Sequence, residues 1–233
     1  MFTHLHVHSA FSLLEGAFSI PQLLFRAQEM RITTLALTDT NGLYAAIMFY
    51  RFAGQLGIRP IIGACIRSAE GQAVLLAKDR KGFSQISQIV TARHLVADFS
   101  LRKDLQKIAY TSDPHLFVLT QDEALLADLA CCWDRDHLFA ELVRTDQPGN
   151  ARKIRRLCDT ADSLRIGIVA TNDVHFLYPQ DFALHRVLVA IGEQSHVHAK
   201  LPLAAESCHL TSDAEMQHLF ADLPQAIGNA TII

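Results

Sequence analysis

The chain has 233 residues, 50% of them hydrophobic and 19% charged, a composition that admits a sizeable core and excludes intrinsic disorder. Its formal charge of −3 gives no support to tight nucleic-acid binding by the chain alone, which calls for a basic face; the cluster of Lys153, Arg155 and Arg156 fits a solvated helix face equally well. Five cysteines (Cys65, Cys131, Cys132, Cys158, Cys208) form no Cys-x-x-Cys pair and are odd in number, so neither a zinc ribbon nor a disulfide framework is indicated.

The start lacks the basic and apolar regions of a signal peptide, and no apolar run is long enough to cross a bilayer, so a cytoplasmic protein with no membrane contact is expected. Residues Phe2 to His8 read as a first strand. Its three histidines, His4, His6 and His8, alternate and so share one side. Two imidazoles at that spacing can reach one metal ion together; the competing reading is a buried, hydrogen-bonded histidine row.

A polar turn from Ser9 to Ser19 follows. Ser19 caps a predicted helix with Pro21 in its first turn and Leu23, Leu24, Ala27 and Met30 at helical spacing. Thr33 to Thr38 is a short strand ending at Asp39-Thr40-Asn41-Gly42, and a helix then runs to Gly57. Arg59 to Ile66 and Gln72 to Ala77 are two strands joined by a turn through Glu70-Gly71, a hairpin that interrupts the βα alternation. Gly82 to Leu95 is helical, while Asp98 to Lys107 carries no clear pattern. Leu116 to Leu119 is a strand, Asp122 to Cys131 a helix, Leu138 to Val143 a sixth strand and Asn150 to Leu164 a basic amphipathic helix. Ile166 to Ala170 is the seventh strand. A helix from Pro179 to Ile191 and two short ones from Ser212 and Leu223 complete the chain, the last of which reads as cut before any capping signal. Without a linker or a phosphate loop, this order predicts one barrel-like α/β domain over residues 1–233.

In such barrels the reactive groups sit just past the C-terminal ends of the strands. Those positions hold His6 and His8, Asp39, Cys65, Asp122, Glu141 with Thr145, and Asp173 with His175. Asp39 and Asp122 could equally be N-caps, Glu141 a satisfied strand carboxylate and Cys65 a core residue. For Asp173 and His175, an i, i+2 pair after an apolar strand, ligation is the preferred reading.

His6-Val7-His8-Ser9, Leu37-Thr38-Asp39 and Thr171-Asn172-Asp173-Val174-His175 resemble three motifs of the PHP (polymerase and histidinol phosphatase) superfamily. Within it, Ser12-Leu13-Leu14-Glu15-Gly16, Ala36-Leu37-Thr38-Asp39, Gly57 to Gly63, Val169 to Phe176 and Leu219 to Pro224 are similar to the N-terminal domain of bacterial DNA polymerase III alpha subunits. The resemblance implies a distorted seven-stranded (β/α)7 TIM-like barrel with up to three divalent ions (zinc, manganese or magnesium) at the strand ends. It implies His6 and His8 as a first ligand pair, Glu15 where relatives have aspartate, His94 as a later ligand, and Asp173 with His175 as the last pair. Asp39 would stand behind the ligands. Three positions depart from a full site: Thr40 replaces a histidine, Cys65 a glutamate and Asp122 a cysteine. Cysteine and aspartate can both ligate metals, whereas threonine is a poor substitute for imidazole.

The resemblance therefore implies a degenerate site with one metal, held by His6, His8 and Asp173 or His175, and weak or absent phosphoester hydrolysis. It further implies a polymerase body after residue 233, DNA contact only through the full-length protein, and docking of a proofreading exonuclease subunit. The rival expectation is a stand-alone metal-dependent phosphoesterase; a barrel that binds no metal is the third.

Overall fold

The computed structural model describes residues 2–111 and 114–233. Six strands form one sheet: β1 (Thr34–Leu37), β2 (Arg59–Ser68), β3 (Gly71–Ala77), β4 (Leu116–Thr120), β5 (Leu138–Val143) and β6 (Gly167–Thr171), in sequential order. β3 runs antiparallel to both β2 and β4, and the other pairs are parallel. The β2–β3 hairpin thus lies inside an otherwise parallel α/β sheet. Gly71 makes its turn possible, with a φ of 134° that side chains disfavour.

The segment expected as a first strand is not one. His4 makes an isolated parallel bridge to Leu35 of β1, and Val7 another to Val174 just past β6. The pairing slips by one residue. The Ala36 amide donates to the His4 carbonyl, but the Thr38 amide donates to Val7 rather than His6. The His6 carbonyl instead accepts from Val174, and the freed Val7 amide donates to the Thr38 hydroxyl at 2.8 Å. A slip of this kind interrupts a ladder as a bulge does. Because one short segment touches both edges, the sheet must be curled; the regular sheet is six-stranded rather than the seven-stranded barrel expected.

Helices cover the sheet: α1 (Ile20–Glu29), α2 (Ala46–Gln55), α3 (Arg80–Leu95), α4 (Leu101–Thr111), α5 (Glu123–Ala130), α6 (Asn150–Leu164), α7 (Phe182–Gly192), α8 (Asp213–Leu219) and α9 (Pro224–Ile232). α1 follows its signals: Gln22 Oε1 accepts the Ser19 amide at 2.9 Å, and Leu23 and Leu24 are fully buried, each burial stabilising by about 1.5–3 kcal/mol. α4 occupies the stretch without a clear pattern, anchored by buried Leu101 and Leu105. One core cluster joins β2–β6 to α3–α6, α8 and α9; a second packs Val7, Leu35 and Leu37 against α1 and α2.

Candidate metal centre

The C-terminal ends of β1, β2, β5 and β6 meet the histidine segment in one buried cluster. His6, His8 and Cys65 bring ligand atoms within 4.8 Å of one another, and so do His8, Asp173 and His175. His6, His8, Cys65 and His175 are all under 5% exposed.

The hydrogen-bond network fixes which imidazole nitrogens face inward. His6 Nδ1 lies 2.7 Å from Glu141 Oε1, an acceptor that Thr171 Oγ1 also donates to at 2.7 Å; Nδ1 therefore carries the proton and Nε2 is left for a ligand role. His8 Nδ1 faces two hydroxyls, Ser12 at 3.1 Å and Thr40 at 3.2 Å. Each gives its one hydrogen to a carboxylate, Ser12 to Asp39 at 2.8 Å and Thr40 to Glu15 at 3.0 Å. Both must then accept from His8 Nδ1–H, so His8 Nε2 also presents its lone pair.

These lone pairs converge. His6 Nε2 and His8 Nε2 are 2.9 Å apart. Asp173 Oδ1 is 3.4 Å from His6 Nε2, 3.2 Å from His8 Nε2 and 3.2 Å from His175 Nε2. That oxygen is buried and accepts no hydrogen bond among the described residues. Donor atoms at bonds of about 2.0–2.1 Å around a tetrahedral zinc ion stand about 3.3 Å apart, close to the spacing here. The donor set thus fits a divalent cation. Without one, a proton must serve: burial opposes charge on His6, but Glu141 and Asp173 outweigh it and hold its pKa well above the usual value. Burial and then His175 push His8 well down, so the two rings do not both charge. Burial would raise Asp173, but His6 and His175 overcome it and keep the carboxyl ionised.

Asp39 serves from behind. It accepts from the Ser9 amide at 2.7 Å, the Ser9 hydroxyl at 2.9 Å and Ser12 at 2.8 Å, tying the turn after His8 to the end of β1. Burial raises its pKa against those bonds. The same turn depends on Gly16, where a Cβ would stand 2.0 Å from the Ser9 carbonyl oxygen. Asp173 itself adopts φ 46°, a left-handed conformation that aspartate tolerates better than most residues.

Beside this cluster lies a second, differently satisfied group. Glu15 Oε1 accepts Arg67 Nη1 at 2.6 Å while Oε2 accepts Thr40. Glu15 therefore has a cation already, and it belongs to neither group of converging ligand atoms. His94 stands exposed on α3 with Nε2 donating to the Asn41 carbonyl at 2.7 Å, outside both groups. Asp122 caps α5, its Oδ1 accepting the Ala124 and Leu125 amides at 2.9 and 3.0 Å, the capping alternative, and it stands in neither group of converging ligand atoms. His4 donates from Nε2 to the Thr211 carbonyl at 2.9 Å, and burial lowers its pKa to about 4.

Sequence reading missed Arg67, Ser12, Thr171 and His185. Arg67 was within reach, because i, i+2 spacing on β2 puts it on the face of Cys65. His185 donates from Nδ1 to the Glu15 carbonyl at 2.8 Å and accepts the Ala204 amide at 3.1 Å; nothing in its helix marks it.

A family profile described as the PHP domain matches residues 4–168, which include every converging ligand except Asp173 and His175. The chain belongs to the PHP domain family. DNA polymerase III subunit alpha of Xylella fastidiosa is 32% identical over 98% of this chain and 22% of its own length. The Vibrio cholerae subunit is 29% identical over 100% of the chain and 22% of its length. An error-prone DNA polymerase of Mycolicibacterium paratuberculosis is 30% identical over 98% and 24%. This PHP chain thus spans about a fifth to a quarter of the curated relatives it matches. In structure it is similar to a two-domain Bacteroides vulgatus protein containing a predicted PHP-like metal-dependent phosphoesterase, with a TM-score of 0.51 and 14% identity over 75% of this chain and 52% of that one. That likeness speaks to the fold. Among the described residues no helix is long and apolar enough to cross a membrane.

Proposed function

We propose that this chain is the PHP module of a bacterial replicative DNA polymerase alpha chain, with residues 1–233 as one domain and the polymerase body beyond it. In this reading the segment from His4 to Val7 acts as a seventh stave closing the curled sheet into a barrel. The module holds one divalent metal through His6, His8, Asp173 and His175, with Cys65 at hand. The observation that carries this is the convergence of three imidazole nitrogens on one unbonded carboxylate oxygen, beside a Glu15 already paired with arginine.

A divalent ion bound there supplies Lewis-acid charge to a phosphoryl oxygen. The chain's own part is to hold Nδ1–H of His6 on Glu141 and Nδ1–H of His8 on the two hydroxyls, so that both Nε2 atoms stay free. Thr40 offers no second imidazole, and Arg67 stands where Glu15 would need a metal. Hydrolysis is accordingly weak or absent, and the module's work is structural support and contact with a proofreading exonuclease subunit in the cytoplasm. Exposed Ile47 and Tyr50 on α2, 63% and 60% accessible, support a protein-contact role. DNA reaches the protein through the polymerase body.

Metal analysis of chain purified without chelator tests the reading. One tightly bound ion per chain, with little manganese- or zinc-dependent phosphodiester hydrolysis, is the expected result. Three tight ions, or brisk turnover, would favour the stand-alone phosphoesterase instead.

A further inference from the structure

A cavity of about 900 Å³ opens between α6 and α8, and none of its lining residues lines the 490 Å³ pocket beside Asp173 and His175. Its walls are largely apolar, with Ile154 and Cys158 from α6 and Met216 and Leu219 from α8, the character of a site for a small organic ligand. Two fixed polar groups face these walls. Asn172 is 2% exposed, and its Nδ2 donates to the Ser207 and His209 carbonyls at 2.9 and 2.6 Å. Its Oδ1 accepts no hydrogen bond among the described residues and stays open to the cavity, so a rigid, nearly buried acceptor lacks its donor. Arg144 forms the second group. Its Nη1 and Nη2 donate to the two Asp222 oxygens at 2.7 Å, Nη1 also to the Leu219 carbonyl at 2.8 Å, and the guanidinium carbon stands 4.9 Å over the Phe220 ring centre. Phe220 covers one face, so the 24% of the side chain that stays exposed leaves the other face toward the cavity. A guanidinium held flat in this way is a stacking surface for a planar ring.

We infer that this cavity is a binding site for an uncharged heteroaromatic ring that carries an amino group, of the kind found in adenine or cytosine. The amino N–H donates to Asn172 Oδ1, and the ring faces lie against Arg144 and the apolar walls. The charges favour a neutral ligand. Two arginines and three carboxylates line the cavity, and the pairing of Arg144 with Asp222 leaves Arg155 against Asp146 and Glu215. An anionic group on the ligand therefore gains nothing here. The inference goes beyond the metal-centre reading and does not depend on it.

The test is saturation-transfer NMR and calorimetry with adenosine on the 233-residue chain. Saturation should pass from the chain to the adenine ring protons. Ala151→Trp, which sets an indole into the cavity from an exposed position on α6, should abolish that transfer while circular dichroism stays as in the wild type. Purine riboside, which lacks the amino group, should bind about fivefold more weakly than adenosine, the scale of one neutral hydrogen bond. That comparison needs no variant and stands should Ala151→Trp not fold. Arg144→Lys keeps the charge and loses the plate, and it should weaken adenosine as well. Adenosine monophosphate should bind no more tightly than adenosine. No saturation transfer from the wild type, equal binding of the two purines, or unchanged binding by folded Ala151→Trp overturns the inference. Tighter binding of the monophosphate overturns it too, by assigning the cavity to an anion.

Discussion

The two halves of the centre face the same electrostatic problem and solve it differently. At one half, His6, His8 and His175 crowd imidazole nitrogens around Asp173 Oδ1, which accepts no hydrogen bond among the described residues. At the other, the Glu15 carboxylate is satisfied within the chain by Arg67 and Thr40. The first half asks for a cation from outside, and the second already has one. A carboxylate beside a cluster of metal-type donor atoms is therefore not a ligand by position alone. What its oxygens already bind decides.

The largest effect that would sharpen this contrast is expected for Asp173→Ala, which removes the anion shared by three imidazoles. Zinc affinity measured with a competing chelator should fall by more than about 100-fold, beyond what loss of an outer partner costs. Glu141→Gln should come next. It keeps the shape but weakens the hold on His6 Nδ1–H, and metal affinity should drop by about 10–100-fold. Glu15→Gln should change zinc affinity by no more than about fivefold, because its partly exposed pair with Arg67 is worth at most about 1 kcal/mol; a larger loss would break the contrast by making Glu15 a ligand.

The smallest effect belongs to a control outside both groups of converging ligand atoms. Ser212→Ala removes the N-cap of α8, where Ser212 Oγ and its amide both meet Glu215 Oε2 at 2.7 Å. Urea unfolding should show a loss of about 1 kcal/mol with unchanged zinc affinity. Those bonds to Ser212 depress the Glu215 pKa. The stability they contribute is therefore present above the ordinary value of 4.5 and lost as pH falls through the lowered one, and this acid-side loss should shrink in the variant.

Much of the fold was legible because local chemistry and burial agree. The spacing of Leu23, Leu24 and Ala27 gave α1, and the Glu70-Gly71 turn gave the antiparallel hairpin. The N-terminal segment was misread for a specific reason. Alternation of His4, His6 and His8 describes an ideal strand, but the ladder slips at His6 when the Thr38 hydroxyl takes the Val7 amide. Side-chain competition of that kind is invisible to a period-two pattern. The same limit governs the site. His6, His8, Asp173 and His175 could be listed from the strand ends, and so could Asp122 with its capping alternative, whereas Glu15 and His94 rest on the family resemblance alone. Only the backbone carbonyl on His94, the amides on Asp122 and the guanidinium on Glu15 set these three apart. α4 was legible but unread: Leu101, Leu105 and Ile108 fall at i, i+4 and i+7, the spacing of one buried helix face, with charged and polar residues between them.

The most direct test of one cation site beside one self-neutralised site is a crystal structure of zinc-soaked protein with anomalous scattering recorded at the zinc edge. The account predicts a single strong peak among His6 Nε2, His8 Nε2, Asp173 Oδ1 and His175 Nε2, with Arg67 still on Glu15. A peak ligated by Glu15 with Arg67 displaced, or no peak beside Asp173, would contradict it.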